Sequence, residues 1–118
     1  MEYKLFDSEI KVMDYIWEKG PISAKELSLL AAGEIGWNKN TTYTVLKKLV
    51  AKGYIQRSDP GFICTALIDR QEVIRAEADR LVNKWFAGSK KALFSALLDG
   101  DSLSQAEIDE LRDMIEKR

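Results

Sequence analysis

The sequence predicts a mainly helical chain of 118 residues, in which three short helices lead into a β-hairpin and a helical C-terminal region follows. Three observations carry that reading. Apolar residues recur at helical spacing in three successive segments before residue 53. Two runs of strand-forming residues, 54–58 and 62–67, then flank Asp59-Pro60-Gly61, where Pro at the second and Gly at the third position match a type II turn. Beyond Asp69 the helical period returns and stays to the end of the chain.

Each element has local reasons. Residues 7–19 form the first helix, with Ile10, Met13 and Trp17 at i, i+3 and i+7, Val12 and Ile16 beside them, and Asp7 or Ser8 as its cap. Lys19-Gly20-Pro21 stops it, and the short Pro21-Ile22-Ser23 can add a third small strand. Ser23 and Glu26 have capping-box spacing and open the second helix, whose core face is Leu27, Leu30 and Ala31 and which ends around Gly33 and Gly36. Asn38 caps the third helix, Val45, Leu46, Leu49 and Val50 point inward, and Gly53 closes it because glycine tolerates the left-handed conformation that follows a helix. After the hairpin, residues 69–86 form a long helix with Val73, Ile74, Leu81, Val82 and Trp85 on its apolar side. Residues 90–98 are a further helical segment. A last helix begins at Ser104 with a second capping box to Glu107, and carries Ile108, Leu111, Met114 and Ile115 on one face.

Composition narrows the function. With 46% hydrophobic and 31% charged residues the chain falls in the ordinary globular class. No apolar stretch approaches the roughly 18 residues of a membrane span, and the start of the chain lacks the apolar core of a signal peptide, so a cytoplasmic protein without membrane insertion is expected. The single cysteine, Cys64, excludes an internal disulfide and a cysteine-cluster metal site, and reads as a small apolar strand residue. The sequence contains no histidine, the commonest general base and metal ligand. No enzymatic chemistry, metal or cofactor is expected. Trp17, Trp37 and Trp85 read as core packing rather than a ligand cage.

Charge is unevenly distributed. Although the formal net charge is −1, residues 35–58 contain no Asp or Glu, while Lys39, Lys47, Lys48, Lys52 and Arg57 are all basic. Phosphates feel charges within about 8–10 Å at physiological salt, so a local basic stripe outweighs the total. Three helices followed by a hairpin is the order of a winged helix-turn-helix, in which the N-terminal part of a recognition helix meets base edges in the major groove. On that reading Asn38, Asn40, Thr41, Tyr43 and Thr44 are candidates for DNA contact. Asn bonds adenine bidentately, and Thr donates, accepts or packs its methyl on thymine. Tyr43 has a second reading, as a cover for the core. Lys39, Lys47, Lys48 and Arg57 are expected to hold phosphates. A carboxylate at Asp59 would be repelled by phosphate, which predicts a wing resting near the backbone rather than inserted in the minor groove.

With these residues in view, the chain resembles the penicillinase repressor (BlaI/MecI/CopY) family of winged-helix transcriptional regulators over nearly its whole length. The carrying residues are Glu9, Val12, Met13 and Trp17 in the first helix, Thr41, Thr44, Leu46, Leu49, Lys52 and Gly53 in the third, and the run LSQAEIDELRDMIEK at the C-terminus. Phe6 stands where the family often has a Thr cap, and Thr42 replaces a usual aliphatic residue. The Cys-rich metal motif of the copper-responsive members is missing. The resemblance implies a repressor of β-lactam resistance genes or a related stress operon. It also implies release through a sensor protease that cuts between the last two helices, at a position occupied here by Ala96 and Leu97.

The expected organisation is a winged-helix DNA-binding domain over residues 1–70 and a helical dimerisation domain over 71–118. The second part is small and rich in large apolar residues, and it has neither disulfide nor metal to close a core, so a second copy is expected to cover it. Ile74, Leu81, Trp85, Leu97, Ile108, Leu111 and Ile115 are the dimerisation candidates. The expected partners are a palindromic DNA operator and a second copy of the chain. Two rivals stand beside this reading: a regulator controlled by a small effector near the dimer interface, and a winged helix used only for protein contact.

Overall fold

The computed structural model describes residues 2–100 and 103–118. Their elements run α1 (Asp7–Lys19), β1 (Ile22–Ser23), α2 (Ala24–Glu34), α3 (Lys39–Lys52), β2 (Ile55–Ser58), β3 (Ile63–Ala66), α4 (Arg70–Phe86), α5 (Lys90–Leu98) and α6 (Gln105–Glu116). Two compact units divide the chain within α4, one ending at Ala76 and the other comprising Glu77–Arg118.

In the first unit the three strands form one antiparallel sheet of order β1-β3-β2, with Ile22 and Arg57 on opposite sides of Cys64. Pro21-Ile22-Ser23 does supply the small third strand. Val12, Met13 and Ile16 of α1, Leu27 of α2, and Leu46 and Leu49 of α3 meet Ile55 and Cys64 of the sheet in one core. Trp17 and Trp37 pack half-buried against it, and the Trp17 indole donates to the Ile68 carbonyl at 2.9 Å. Gly53 ends α3 at φ 79°, where its N–H reaches back to the last turn.

Several local expectations are corrected. Helix α1 is capped at Phe6, not at Asp7 or Ser8. The Phe6 ring offers no acceptor, but the Glu9 carboxylate accepts the Phe6 N–H at 2.8 Å and supplies half of a capping box. The buried face of α1 is Glu9, Val12, Met13 and Ile16, and Ile10 lies outside it, since the side chain one turn back from Met13 points past the core edge. At α2 only one arm of the expected box is present among the described residues: the Ser23 hydroxyl accepts the Glu26 N–H at 3.1 Å. The box predicted at Ser104 and Glu107 is complete. Phe62 belongs to the turn and not to the strand: Gly61 at φ 94° and Phe62 at φ 48° swing the ring inward, and β3 starts one residue later.

A half-buried ion pair in the first unit joins elements far apart in sequence. Glu9, 1% exposed, lies 2.7 Å from Lys52 Nζ in the last turn of α3. Lys52 also donates to the Lys4 carbonyl at 3.1 Å and sits 4.7 Å from the centre of the Phe6 ring. One carboxylate thus caps α1 and fastens the C-terminal end of α3.

The second unit is built differently. Neither α5 nor α6 contains a buried residue. Trp85, expected in a core, is 69% exposed, as are large parts of Phe94, Leu97, Leu98, Met114 and Ile115.

Candidate nucleic-acid interface

Helix α3 presents two faces whose separation follows from its sequence. Thr42, Val45, Leu46 and Leu49 recur at i, i+3, i+4 and i+7 and are buried. Asn40, Thr44, Lys47 and Ala51 repeat along the opposite side, flanked by Thr41 and Lys48, and all six are exposed. Polar side chains therefore occupy the first turns of one solvent face and lysines the next.

The cap organises the first turn. The Asn38 side-chain oxygen accepts the Thr41 N–H at 2.8 Å and the Thr41 hydroxyl at 3.0 Å. That leaves Asn38 its amide hydrogens and Thr41 its acceptor lone pairs for a ligand. Asn40 and Thr44 make no side-chain hydrogen bond within the chain among the described residues, so their full donor and acceptor capacity faces outward. Tyr43 takes an intermediate place. It packs edge-on against Phe62, ring centroids 5.8 Å apart at 84°, and its ring centre lies 5.6 Å from Lys39 Nζ.

The basic stripe is divided in two. Lys52 is held by Glu9, and Arg57 Nε lies 3.2 Å from both carboxylate oxygens of Asp59. Of the five cations between residues 35 and 58, these two have carboxylate partners. Lys39, Lys47 and Lys48 form no ion pair among the described residues, and they leave an exposed cationic surface along and beside the polar face. Lys52 is thus a structural cation, which its sequence position among the other lysines did not reveal. Cys64, fully buried in β3, has its thiol pushed up to about 11 by burial, with the Arg57 charge opposing the rise. A thiol so protonated is a poor nucleophile.

Helix N-terminal residues that hydrogen-bond without charge, followed one or two turns later by unpaired lysines, are suited to base edges flanked by phosphates. Among the described residues no group of three or more Cys, Asp or Glu side chains is placed to hold a metal ion, and no helix is long and apolar enough to cross a membrane.

The dimerisation candidates spread over α4, α5 and α6. Ile74 lies at the end of the first unit and is exposed, as are Leu81, Trp85, Leu97 and Ile115. Ile108 and Leu111 are half-buried and, with Phe94, Leu98 and Ile115, line an apolar groove of about 350 Å³ edged by Arg112 and Glu116. Ala96 and Leu97, expected between the last two helices, fall instead in the last turn of α5, because the apolar run through Leu98 continues the helix past them.

A sheet of three short strands whose hairpin stands beside the third of three helices, with that helix exposing a polar and basic face, defines a winged helix-turn-helix. Residues 5–117 match the penicillinase repressor family, and the chain belongs to that family. It is similar to the penicillinase repressor of Bacillus licheniformis, 28% identical over 116 residues that cover 97% of this chain and 91% of that protein. It is also similar to the methicillin resistance regulatory protein MecI of Staphylococcus aureus (strain N315), 27% identical over 118 residues, 98% of this chain and 96% of that one. Among solved structures, the solution structure of the DNA-binding domain of the repressor BlaI superposes with a TM-score of 0.55 at 28% identity. It covers 61% of this chain and 93% of that domain.

Proposed function

We propose that this chain is a cytoplasmic transcriptional repressor that binds a palindromic DNA operator as a homodimer. Residues 1–70 carry the DNA contacts and 71–118 the dimer contacts. The observation that carries the reading is the exposed face of α3, where Asn40, Thr41 and Thr44 precede Lys47 and Lys48 and no carboxylate intervenes. In this reading Asn40, Thr41 and Thr44 meet base edges, Asn38 fixes the first turn, and Lys39, Lys47, Lys48 and Arg57 meet phosphates. Tyr43 holds the wing and lends its rim to the DNA surface. The regulated genes are β-lactam resistance genes or a related stress operon, as the names of the family and of its relatives support. Release follows proteolysis near Ala96 and Leu97, whose helical turn must unwind before a protease can take it in extended form. The protein needs no cofactor and catalyses no reaction.

The test is a salt titration on an operator duplex with two variants. If a dimer neutralises about six phosphates, affinity falls on the order of a thousandfold between 50 and 200 mM salt. Lys48→Ala weakens operator and random DNA alike, whereas Thr44→Ala weakens operator alone, by about 1–3 kcal/mol per half-site. A flat titration excludes DNA binding and leaves a winged helix used for protein contact. One observation favours a second mode of control: the apolar groove between α5 and α6, edged by Arg112 and Glu116, has the volume of a small-molecule site. A rise in melting temperature with an added effector would support it.

A further inference from the structure

The wing presents an arginine whose charge is already paired. Arg57 lies in the exposed part of β2, one residue before the strand ends, and its Nε donates to both oxygens of Asp59 at 3.2 Å. Its guanidinium carbon lies 3.8 Å from the centre of the Phe62 ring. That ring is only 8% exposed, and its backbone carbonyl accepts the Ala24 N–H at 2.9 Å, so it is anchored at the start of α2. Phe62 in turn packs edge-on against Tyr43 in the second turn of α3. A continuous line of contacts therefore runs from Lys39 and Tyr43 on the recognition helix through Phe62 to Arg57 and Asp59 on the wing.

This arrangement does something a lone surface ion pair does not. An exposed pair is weak by itself and leaves both side chains free to turn. Here the Phe62 ring lies against the guanidinium and the carboxylate takes up its Nε side. The two Nη groups have no partner within the chain among the described residues. A guanidinium held against a ring and at its inner edge offers its outer fork to an anion, the group that suits bidentate phosphate recognition. Pre-ordering it in the free protein lowers the conformational entropy lost on binding.

Resting on the DNA-binding reading above, we propose that Asp59 and Phe62 are positioning residues that aim Arg57 at a backbone phosphate and hold the wing in register with α3. The Asp59 carboxylate then favours DNA binding despite its sign. Asp59 as a mere repulsive charge predicts the opposite.

The experiment uses the full chain and an operator duplex selected by the wild-type protein from a random-sequence pool, with affinity measured at one fixed salt concentration. Asp59→Ala is expected to weaken binding by about three- to tenfold, the worth of one lost hydrogen bond, although it removes a negative charge. Asp59→Asn keeps an oxygen that accepts the Nε–H and is expected to bind at least as tightly as wild type. In an Arg57→Ala background, Asp59→Ala is expected to cause no further loss, which a merely structural role for the wing turn would not produce. Binding by Asp59→Ala equal to or tighter than wild type overturns the proposal, as does an undiminished loss in the Arg57→Ala background. In both cases wild-type operator binding survives, so the functional reading stands while this one falls. Failure of the wild-type chain to select any duplex overturns both.

Discussion

The unit ending at Ala76 and the unit from Glu77 onward spend similar residues in opposite ways. The first turns Val12, Met13, Leu27, Leu46 and Leu49 into a core in which each is wholly screened from water, and it closes that core with a sheet. The second has Trp85, Phe94, Leu97, Leu98, Met114 and Ile115 among its large apolar side chains and leaves all six substantially exposed. Apolar area gains free energy only when something covers it. The first unit finds its cover within the chain. A helical unit of about forty residues without disulfide or metal ordinarily needs another chain, and Cys64 lies in the other unit. The contrast teaches that one molecule contains a finished module and an unfinished one, and the proposed dimer rests on the second.

The largest effect should come from removing part of the unfinished module. A chain ending at Ala96 loses α6 with Ile108, Leu111 and Ile115, each worth about 1.5–3 kcal/mol if fully buried in a dimer. We expect this truncated protein to sediment as a monomer and to bind operator about 10²- to 10⁴-fold more weakly, since two linked half-site contacts gain from effective concentration and one does not. Its winged-helix unit should stay folded by circular dichroism. A truncated chain that remains a tight operator-binding dimer would break the comparison at its root.

The next effect sharpens the other half, by asking what closes the finished module. Lys52→Met leaves the Glu9 carboxylate buried with no counter-charge and should cost about 3 kcal/mol. Glu9→Gln should cost less, about 1 kcal/mol, because Gln can still accept the Phe6 N–H and Lys52, 29% exposed, can turn to water. Urea denaturation of both variants measures the asymmetry. Equal losses would mean that the pair acts only as a surface contact.

That ion pair also marks the limit of what the sequence made legible. Local signals were sufficient for the helices, for the caps at Ser23, Asn38 and Ser104, and for Gly53, because each depends on residues within a turn of one another. The exposed face of α3 was legible for the same reason, since one period separates its polar and apolar sides. Glu9 and Lys52 stand 43 positions apart, and nothing local joins them. Read along the chain, Lys52 was one more cation in a basic stripe and Asp59 a bare charge on a wing tip. Only folding shows that each has a partner. Trp85 failed for another reason: helical spacing tells which face is apolar, but not whether the cover comes from the same chain. The position of Ala96 and Leu97 inside α5 was in principle legible, because the run from Lys90 to Leu98 contains no breaker.

The smallest effect concerns a flaw in the finished core. Thr42 lies on the buried face of α3 with no exposed surface, and its hydroxyl has no hydrogen-bond partner among the described residues. Its spacing to Val45, Leu46 and Leu49 already announces an apolar position. A buried hydroxyl left unpaired costs about 1–3 kcal/mol in desolvation, and valine has nearly the same shape without that group. Helix propensity hardly separates the two residues. Thr42→Val should therefore stabilise the winged-helix unit by about 1 kcal/mol, seen as a rise of roughly 4–8 °C in its melting temperature. Operator affinity should not change, because the side chain points away from the face bearing Asn40 and Thr44. If the variant instead melts lower and binds operator more weakly, the hydroxyl has a role in holding the first turn of α3, where the Thr42 N–H already reaches the Asn38 carbonyl at 3.4 Å. The core would then be less complete than its burial indicates, and the contrast between the two units correspondingly smaller.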